Sequence, residues 1–395
     1  MNQQTRRRAA AGVIPESIAD NEDVLTEILE RLPVKSTIRF KSVCTNWLNL
    51  LSDSQFATNY STRNHTKPSS ISGFYLHIGE TFDRASSFSL DGRQGNLPPL
   101  SFLDGLEGGS RVRVRVMHSS NGLLLCRFQP IEEGDVSEGH QKYLLFLGQS
   151  EKNQKYLVCN PTTKKYRLLP QPVGLRRRTD GYLIFDPTKS SLHYKVVLLS
   201  CNPFLVDVYS SQSLCWKEFY PDQEYSGHSV FWNGAIHLLN NDDILRKFDV
   251  DVEKIIAVPN PRSPQVLRSQ DIMYFGECGG GLILIQSSSW HPSKFLILEL
   301  KKDYSCWVIK CRADLSPLIA EFRKKKTRIR YKVLGAVEGE NERGFALLLG
   351  TPSRIISYDL KSMTWDALRR LSVVESRVFG SRSSALPFVE TLFPV

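Results

Sequence analysis

The stretch Val230-Phe-Trp-Asn-Gly-Ala-Ile-His-Leu-Leu239 contains an Asn-Gly pair between two apolar runs. Asn-Gly favours a two-residue type I′ turn, because both central positions of that turn need a positive φ. We therefore predict that this stretch folds as a β-hairpin. A second pair, Asn121-Gly122, and the triplet Gly279-Gly-Gly281 before Leu282-Ile-Leu-Ile285 predict similar hairpins elsewhere in the chain.

A second pattern recurs five times between these hairpins. Each copy has an apolar strand, a turn opened by a polar residue, and an aromatic or branched residue six positions later that begins a returning strand. The pairs are Asn160 and Tyr166, Ser210 and Trp216, Asp249 and Ile255, Lys301 and Trp307, and Asp359 and Trp365. Successive turn residues lie 50, 39, 52 and 58 positions apart, a spacing typical of propeller blades.

Two hairpins per repeat make a four-stranded sheet, and such sheets arranged radially form a β-propeller. We predict a mainly β fold in which residues 73–395 form about six blades. Five blades are visible in the pattern, and the sixth would pair Gly73-Phe-Tyr-Leu-His77 with a strand around Leu386-Pro-Phe-Val389. A β-sandwich would show similar short strands and is the alternative.

The part of the chain before residue 64 has helical periodicity instead. A first helix, capped by Asp20 or Asn21 and ended by Pro33, places five apolar residues on one broad stripe. These residues are Val24, Leu25, Ile28, Leu29 and Leu32. Two more short helices are predicted, from Ser36 to about Val43 and from Cys44 to Leu51.

A single last turn around Phe56 completes the predicted helical module, residues 20–63. The polar, turn-prone residues 64–72 are interpreted as a linker, and residues 1–19 as a disordered basic segment.

The module is near the size below which a domain usually needs a disulfide, a metal or a partner. The eight cysteines contain no CxxC pair, and most lie in apolar stretches, which favours buried reduced thiols over zinc ligands or disulfides. So many apolar side chains in so small a unit predict a partner protein. The alternative, which periodicity leaves open, is that the helices pack onto the β region of the same chain.

The stretch from Asp23 to Trp47, with Leu50 to Phe56 after it, closely resembles the F-box of plant F-box proteins. The shared elements are Glu27-Ile28-Leu29, Arg31-Leu32-Pro33, Lys35-Ser36, Arg39-Phe40, Val43-Cys44, Trp47 and Phe56. The chain departs from the family in two ways. The Leu-Pro pair that often opens the motif is missing ahead of Asn21-Glu22, and Thr37 replaces the usual Leu.

The β region resembles the F-box-associated domain of the same family, which is related to kelch-type propellers. The resemblance is carried by Ser120-Asn-Gly-Leu-Leu124, Cys159-Asn-Pro-Thr-Thr163, Phe185-Asp-Pro187 with Tyr194-Lys-Val-Val197, Val208-Tyr-Ser-Ser211, Trp232-Asn-Gly234 with His237, and Tyr358-Asp-Leu360. It implies F-box helices followed by a kelch-like β-propeller of about six blades.

The resemblance also implies a function, that of the substrate receptor of an SCF-type ubiquitin ligase. The F-box would bind a Skp-family adaptor, which links to a cullin and a ring-finger subunit, and the propeller would hold a target protein that the sequence does not identify. Such a receptor acts by proximity, with no catalytic residue and no cofactor of its own. The expected adaptor contacts are Val24, Leu25, Ile28, Leu29, Leu32, Pro33, Val34, Ile38, Val43, Cys44 and Trp47, some of which must instead form the module's core.

The alternative function is a propeller enzyme, or a basic nucleic-acid-binding propeller, with merely structural helices. The sequence has no GxSxG, HExxH, GxxxxGK or GxGxxG motif, so no familiar catalytic site is indicated. His237 is expected to be structural. We expect Trp216, Trp307 and Trp365 to pack between blades rather than to stack on bases.

The chain carries 51 basic and 41 acidic residues, a net charge of +10. The excess is concentrated in Arg6 to Arg8, Arg176 to Arg178 and Arg323 to Arg330. Such runs could bind nucleic acid or act as nuclear-import signals, but solvated loops are the favoured interpretation. No apolar run is long enough to span a membrane and the first residues are too polar for a signal peptide. We therefore expect no membrane association and a location in the cytoplasm or nucleus.

Overall fold

Four helices form the first part of the chain that the computed structural model describes. They are α1 Glu22–Leu29, α2 Val34–Phe40, α3 Thr45–Ser52 and α4 Ser54–His65. The described residues are 21–395 except 66–70, 79–85, 91–96, 107–111, 131–153, 174–178, 191, 202, 223–224, 226, 241–243, 260, 264–270, 289–290, 324–330, 339–344 and 381–382. The predicted segment 1–19, the first two basic runs and nearly all of the third lie outside this set.

The start of α1 is confirmed, but the later helices differ from the prediction. The side chain of Asn21 caps α1 by accepting a hydrogen bond from the backbone N–H of Val24. α2 begins directly after Pro33 rather than at Ser36. α4 is a helix of 12 residues and not a single turn. The Asp53 carboxylate caps α4 by accepting hydrogen bonds from the backbone N–H groups of Gln55 and Phe56. The sequence did not indicate the full length of α4 because its few apolar residues lie among polar ones.

Six antiparallel sheets form the blades of a β-propeller. Blade 1 contains β3 Val112–Ser120, β4 Leu123–Pro130, β5 Lys155–Asn160 and β6 Lys165–Leu168. Blade 2 contains β7 Thr179–Ile184, β8 Lys195–Cys201, β9 Phe204–Ser210 and β10 Cys215–Phe219. Blade 3 contains β11 Gly227–Trp232, β12 Ala235–Asn240, β13 Leu245–Asp249 and β14 Lys254–Ala257.

The remaining blades complete the ring. Blade 4 contains β15 Ile272–Cys278, β16 Gly281–Ser288, β17 His291–Leu300 and β18 Trp307–Asp314. Blade 5 contains β19 Lys332–Glu338, β20 Phe345–Gly350, β21 Arg354–Asp359 and β22 Trp365–Arg370. The described part of blade 6 contains three strands, β1 Gly73–His77, β2 Ser86–Phe88 and β23 Ser384–Phe388. Two short helices, α5 Ser316–Arg323 and α6 Val373–Val378, follow blades 4 and 5.

Closure of the ring by both ends of the β region is confirmed. β1 pairs with β23 in a register that places Gly73 opposite Phe388 and His77 opposite Ser384. The closing strand therefore begins two residues earlier than predicted. Because one sheet joins strands from the two ends of the domain, the ring is closed between its first and last strands.

The predicted turns are present. Asn121 and Gly122 have φ of 50° and 82°, and Asn233 and Gly234 have φ of 48° and 78°, as a type I′ turn requires. The five repeated turns join the third and fourth strands of blades 1 to 5, and each contains one non-glycine residue of positive φ. These residues are Lys164, Leu214, Glu253, Tyr304 and Met363.

The core consists of six apolar clusters, one between each pair of neighbouring blades. The recurring tryptophans lie at these junctions, as predicted. The Trp216 indole N–H donates a hydrogen bond to the carbonyl of Pro170 in the preceding blade at 2.7 Å. Trp307 is buried between blades 3 and 4, and Trp365 contacts α5. Radial packing of this kind excludes the β-sandwich alternative. Among the described residues, no helix is long and apolar enough to cross a membrane.

Candidate functional site

The chain's last residues, Val389–Val395, lie between the helical module and the propeller; we call them the tail. Leu392 packs in the module's core with Leu25 and Leu29. The next residue, Phe393, packs between blades 1 and 2, where its ring meets that of Phe185 edge-on at 5.0 Å. Successive side chains of an extended segment point to opposite sides, so the tail joins the two parts of the molecule.

Buried hydrogen bonds fix the tail on both sides. On the propeller side, the Asn160 amide donates to the carbonyl oxygens of Thr391 and Phe393 at 3.1 and 2.8 Å. On the module side, the Ser61 hydroxyl accepts from the Thr391 hydroxyl and from the Leu392 N–H, both at 3.0 Å. Buried polar groups that lose such partners are costly, so these bonds specify one position of the module on the propeller.

The tail also explains why position 122 is a glycine. Gly122 has φ of +82°, and a Cβ added there would lie 2.2 Å from the Thr391 side chain. The Asn121-Gly122 turn, which the sequence identified only as a hairpin turn, therefore also makes room for the tail.

One side of the helical module packs against the tail of the same chain. We call this the tail side: Leu25, Leu29, Val34, Leu51, Phe56, Ala57 and Tyr60, all buried around Leu392. Three predicted adaptor contacts, Leu25, Leu29 and Val34, are among these core residues. Thr37 is also fully buried, so its departure from the family motif lies in the module's interior rather than on its surface.

A second side of the module carries apolar residues that stay exposed. We call this the open side: Val24, Ile28, Pro33, Val43, Cys44 and Leu48, all exposed. Val24 and Ile28 each retain 43% of their exposure and Val43 retains 57%. The remaining predicted contacts, Leu32, Ile38 and Trp47, are half-buried. Leu48 was not among the predicted contacts. It lies four residues after Cys44, the residue that precedes α3, and this spacing places two residues on one face of a helix.

Charged groups hold α1 against α4 and so orient the open side. The Arg63 guanidinium binds the carboxylates of Glu27 and Glu30 at 2.9 and 3.1 Å. Glu27 also pairs with Arg31 one turn along α1. Hydrogen bonds from Arg63 and Arg31 lower the pKa of Glu27 to about 2, so this carboxylate is ionised throughout the physiological range.

Comparison with known families agrees with this architecture. Residues 21–59 match the F-box domain, and residues 138–336 match the F-box associated beta propeller domain. This chain is an F-box protein with an F-box-associated propeller. It is similar to the Arabidopsis thaliana F-box protein At5g07610, with 30% identity over 89% of this chain and 86% of the relative. A second Arabidopsis thaliana relative, the F-box protein At5g49610, is 32% identical over 60% of this chain and 64% of its own length.

The propeller of this F-box protein contains a cavity of about 550 Å³. It is lined by residues of blades 1 to 4, by Pro387 of blade 6, and by Ile71 and Val389. His118 lines it and accepts a hydrogen bond from the Leu183 N–H through Nδ1 at 3.2 Å. Burial lowers the pKa of His118 to about 4, so its ring is neutral at physiological pH.

His237 is structural, as expected from the sequence. It is fully buried in blade 3 between Trp232 and Tyr304, and its Nε2 is 2.9 Å from the Tyr304 hydroxyl. Burial, with the nearby charge of Lys247, lowers its pKa to about 4. In the part of the chain that the structure describes, no three His, Cys, Asp or Glu side chains converge as metal ligands would.

Proposed function

We propose that this F-box protein is the non-catalytic substrate receptor of an SCF-type ubiquitin ligase. The observation that carries the proposal is the open side, where apolar side chains remain exposed on helices held from behind by the tail. A Skp-family adaptor would cover this side and link the chain to a cullin and a ring-finger subunit. The propeller would hold the target protein.

The size of the open side suits such a role. Burying a Val, Ile or Leu side chain contributes roughly 1.5–3 kcal/mol, so several of them together offset an association cost of some 4–15 kcal/mol. The half-buried Leu32, Ile38 and Trp47 would add contact area. The buried Leu25, Leu29 and Val34 would support this surface from inside rather than touch the adaptor.

The tail supports the second half of the proposal. A receptor that acts by proximity must hold its target in a defined direction from the adaptor. Here Asn160, Ser61 and the tail backbone join F-box to propeller through buried hydrogen bonds. A target bound to the propeller would therefore keep a fixed position relative to the adaptor.

The expected location remains the cytoplasm or nucleus. None of the eight cysteines, all of which lie in described parts of the chain, forms a disulfide, which suits a reducing compartment. The two exposed ones, Cys44 and Cys215, would be open to oxidation elsewhere.

Adaptor binding by the full chain tests the proposal. The full chain is needed because Leu392 belongs to the module's core, so an isolated F-box fragment would lack part of it. Changing Val24→Asp together with Ile28→Asp should weaken binding of a Skp-family adaptor by about 100-fold or more, since two apolar contacts become buried charges. Isothermal titration calorimetry measures the loss.

The matched control changes Val373→Asp and Val374→Asp. These valines are also exposed, at 70% and 62%, but lie on α6 in the propeller. Their substitution should leave adaptor affinity within about twofold. Equal affinity of the Val24 and Ile28 double variant and the unmodified chain would overturn the proposal.

A further inference from the structure

We propose that the cavity at the F-box end of the propeller binds an uncharged small molecule that has an apolar ring and one hydrogen-bond acceptor. The acceptor would bind the Nε2–H of His118, and the ring would contact the apolar wall beside it. The inference does not rest on the proposed function, because it concerns a ligand of the propeller alone.

The cavity lies where the inner strands of the propeller end. One edge strand of each blade faces the centre of the ring, and the contacts between blades run through these strands. Five of them contribute residues near their ends to the cavity: β3, β7, β11, β15 and β23. Gly122, in the turn after β3, also lines the cavity and lies against Thr391 of the tail. The cavity is therefore at the end of the propeller to which the F-box is joined.

His118 offers this cavity a hydrogen-bond donor. Its Nδ1 accepts from the Leu183 N–H at 3.2 Å. Since burial lowers the pKa of His118 to about 4, the ring is neutral at pH 7 and its one proton is on Nε2. In the described parts of the chain no group accepts a hydrogen bond from this Nε2–H, and the half-buried ring lines the cavity. An acceptor placed in the cavity would supply the missing bond.

Apolar side chains make up much of the wall around His118. The Phe231 ring lies edge-on to the imidazole, with 6.1 Å between the ring centroids. Blade 2 contributes Ile184 and Phe185 to the lining, and blade 6 contributes Pro387. Burial of an apolar ring against this wall would provide most of the affinity, and the bond to His118 would fix the ligand's orientation.

Hydrogen bonds between blades 1 and 2 hold the wall in place. The Ser120 hydroxyl and the Asn121 amide donate to the carbonyl of Phe185 at 3.2 and 2.7 Å. The bond from Leu183 to His118 joins the same two blades. A wall that is fixed before a ligand arrives loses little conformational entropy when the ligand binds.

The size and lining of the cavity favour a small molecule over a protein segment. Its volume of about 550 Å³ is within the range of about 300–1,000 Å³ that is typical of small-molecule sites. The chain's own segments at Ile71 and Val389 form part of the lining. A compact ligand suits such a space better than a protein segment, which must also leave the cavity again.

The lysines of the lining already have acidic partners. Lys189 and Asp251 both line the cavity and pair with each other at 2.9 Å. Lys195 also lines it and lies 3.5 Å from the carboxylate of Glu253. An anionic ligand would have to displace one of these carboxylates, so an uncharged ligand is favoured.

The other acids of the lining are also hydrogen-bonded. The Asp186 carboxylate accepts from the N–H and the hydroxyl of Thr188 at 2.9 and 2.6 Å. The exposed Glu277 carboxylate accepts from the Gly280 N–H at 2.8 Å. Neither carboxylate needs a cationic ligand to complete its bonding, which again favours a neutral molecule.

Fluorescence titration with the full chain tests the inference. The first probe is 6-propionyl-2-(dimethylamino)naphthalene, a neutral ketone. The matched probe has a propyl group in place of the propionyl group and so lacks the carbonyl acceptor. The ketone should bind with a Kd on the order of 100 µM, and the matched probe should bind about tenfold more weakly. A capped pentapeptide of alanine with a central phenylalanine should bind more weakly than the ketone.

Variants locate the binding. His118→Asn keeps an oxygen that can accept from the Leu183 N–H but removes the Nε2–H. It should weaken ketone binding about tenfold and leave binding of the matched probe within about threefold. Phe231→Ala removes part of the apolar wall and should weaken both probes about equally. This second variant keeps the test valid if His118→Asn does not fold.

The matched controls change the same residue types away from the cavity. His228 is half-buried on the inner strand β11 but does not line the cavity. Phe102 is half-buried between blades 6 and 1. His228→Asn and Phe102→Ala should each leave the affinity for the ketone within about twofold.

Four results would overturn the inference. The first is equal affinity of the chain for the ketone and the matched probe. The second is unchanged ketone binding in both His118→Asn and Phe231→Ala. The third is tighter binding of the pentapeptide than of the ketone, which would assign the cavity to a protein segment. The fourth is no ketone binding by a preparation that unfolds cooperatively in urea. Adaptor binding by that preparation is measured separately and bears on the proposed function alone.

Discussion

The two sides of the F-box helices are built from similar residues and have opposite surroundings. Leu29 on the tail side is 1% exposed, and Ile28 beside it on the open side is 43% exposed. The tail side is completed by Leu392 from the other end of the chain, whereas the open side ends in bare apolar groups. Packing on the same chain and binding of a partner are therefore not alternatives in this module. The tail covers one side, and our proposal assigns the other to the adaptor.

The largest difference in unfolding free energy between the two sides should appear when one leucine on each side is changed to alanine. Leu392→Ala leaves a cavity in the module's core and should cost about 2–5 kcal/mol of unfolding free energy. Leu48→Ala removes the same atoms from a side chain that is 45% exposed and should cost less than about 1 kcal/mol. Urea unfolding, with hydrogen exchange of α1 and α4 amides to locate the effect, measures both. Equal costs would show that the tail does not complete the core.

A comparable effect is expected at the hydrogen bonds between the tail and the propeller. Asn160→Asp keeps the oxygen that accepts from the N–H groups of Thr162 and Thr163 but loses the amide that donates to the tail. Two buried carbonyls then lack a donor, at roughly 1–3 kcal/mol each.

The control for Asn160 is the equivalent turn of blade 3. Asp249 accepts from the N–H groups of Asp251 and Val252 but contacts no tail. Asp249→Asn should cost less than about 1 kcal/mol. If both changes lower the unfolding free energy by the same amount in urea, the hydrogen bonds from Asn160 to the tail do not stabilise the fold.

Acid should lower the unfolding free energy of the propeller but not that of the module, and this effect should be smaller than the two above. The pKa of His237 is about 4 in the fold against about 6.5 in an unfolded chain. The unfolded state therefore binds more protons between these values, so stability is complete above pH 6.5 and is lost as pH falls towards 4. Between pH 7 and pH 5 the loss should be about 2 kcal/mol for this residue.

Unfolding midpoints at pH 7 and pH 5 check this expectation. His237→Gln should reduce the difference between the two pH values, whereas the exposed His193→Gln should not change it. The module's core cluster is aliphatic and aromatic, so its local stability should not share this loss. An unchanged pH dependence in His237→Gln would contradict the assignment.

Much of the fold was predictable because its signals are local. Asn121-Gly122 needs only its own two residues to specify a turn, and the repeated turns place an acceptor such as Asp359 beside the N–H groups it binds. Closure of the ring was predicted from the count of about six blades and from two short apolar segments, Gly73–His77 and the one around Leu386, that were left to pair with each other. The length of α4 was missed because Phe56, Ala57 and Tyr60 make a narrow stripe in a polar segment.

The two sides of the module could not be separated from the sequence. Leu25 and Ile28 belong to one apolar stripe, and nothing near them in the chain says which will be covered. The answer depends on the tail, whose bond from Thr391 to Ser61 joins residues 330 positions apart. Contacts at that separation leave no periodic signal, so the role of Leu392 became visible only in the folded structure.

Labelling of two cysteines tests the central claim most directly. Cys44 lies on the open side and Cys215 on an outer strand of blade 2, and both thiols are exposed while the other six are buried or half-buried. With a saturating Skp-family adaptor, alkylation of Cys44 by a neutral maleimide, followed by mass spectrometry, should slow at least tenfold while that of Cys215 stays constant. Bound adaptor that leaves the Cys44 rate unchanged would contradict the claim that the open side receives it.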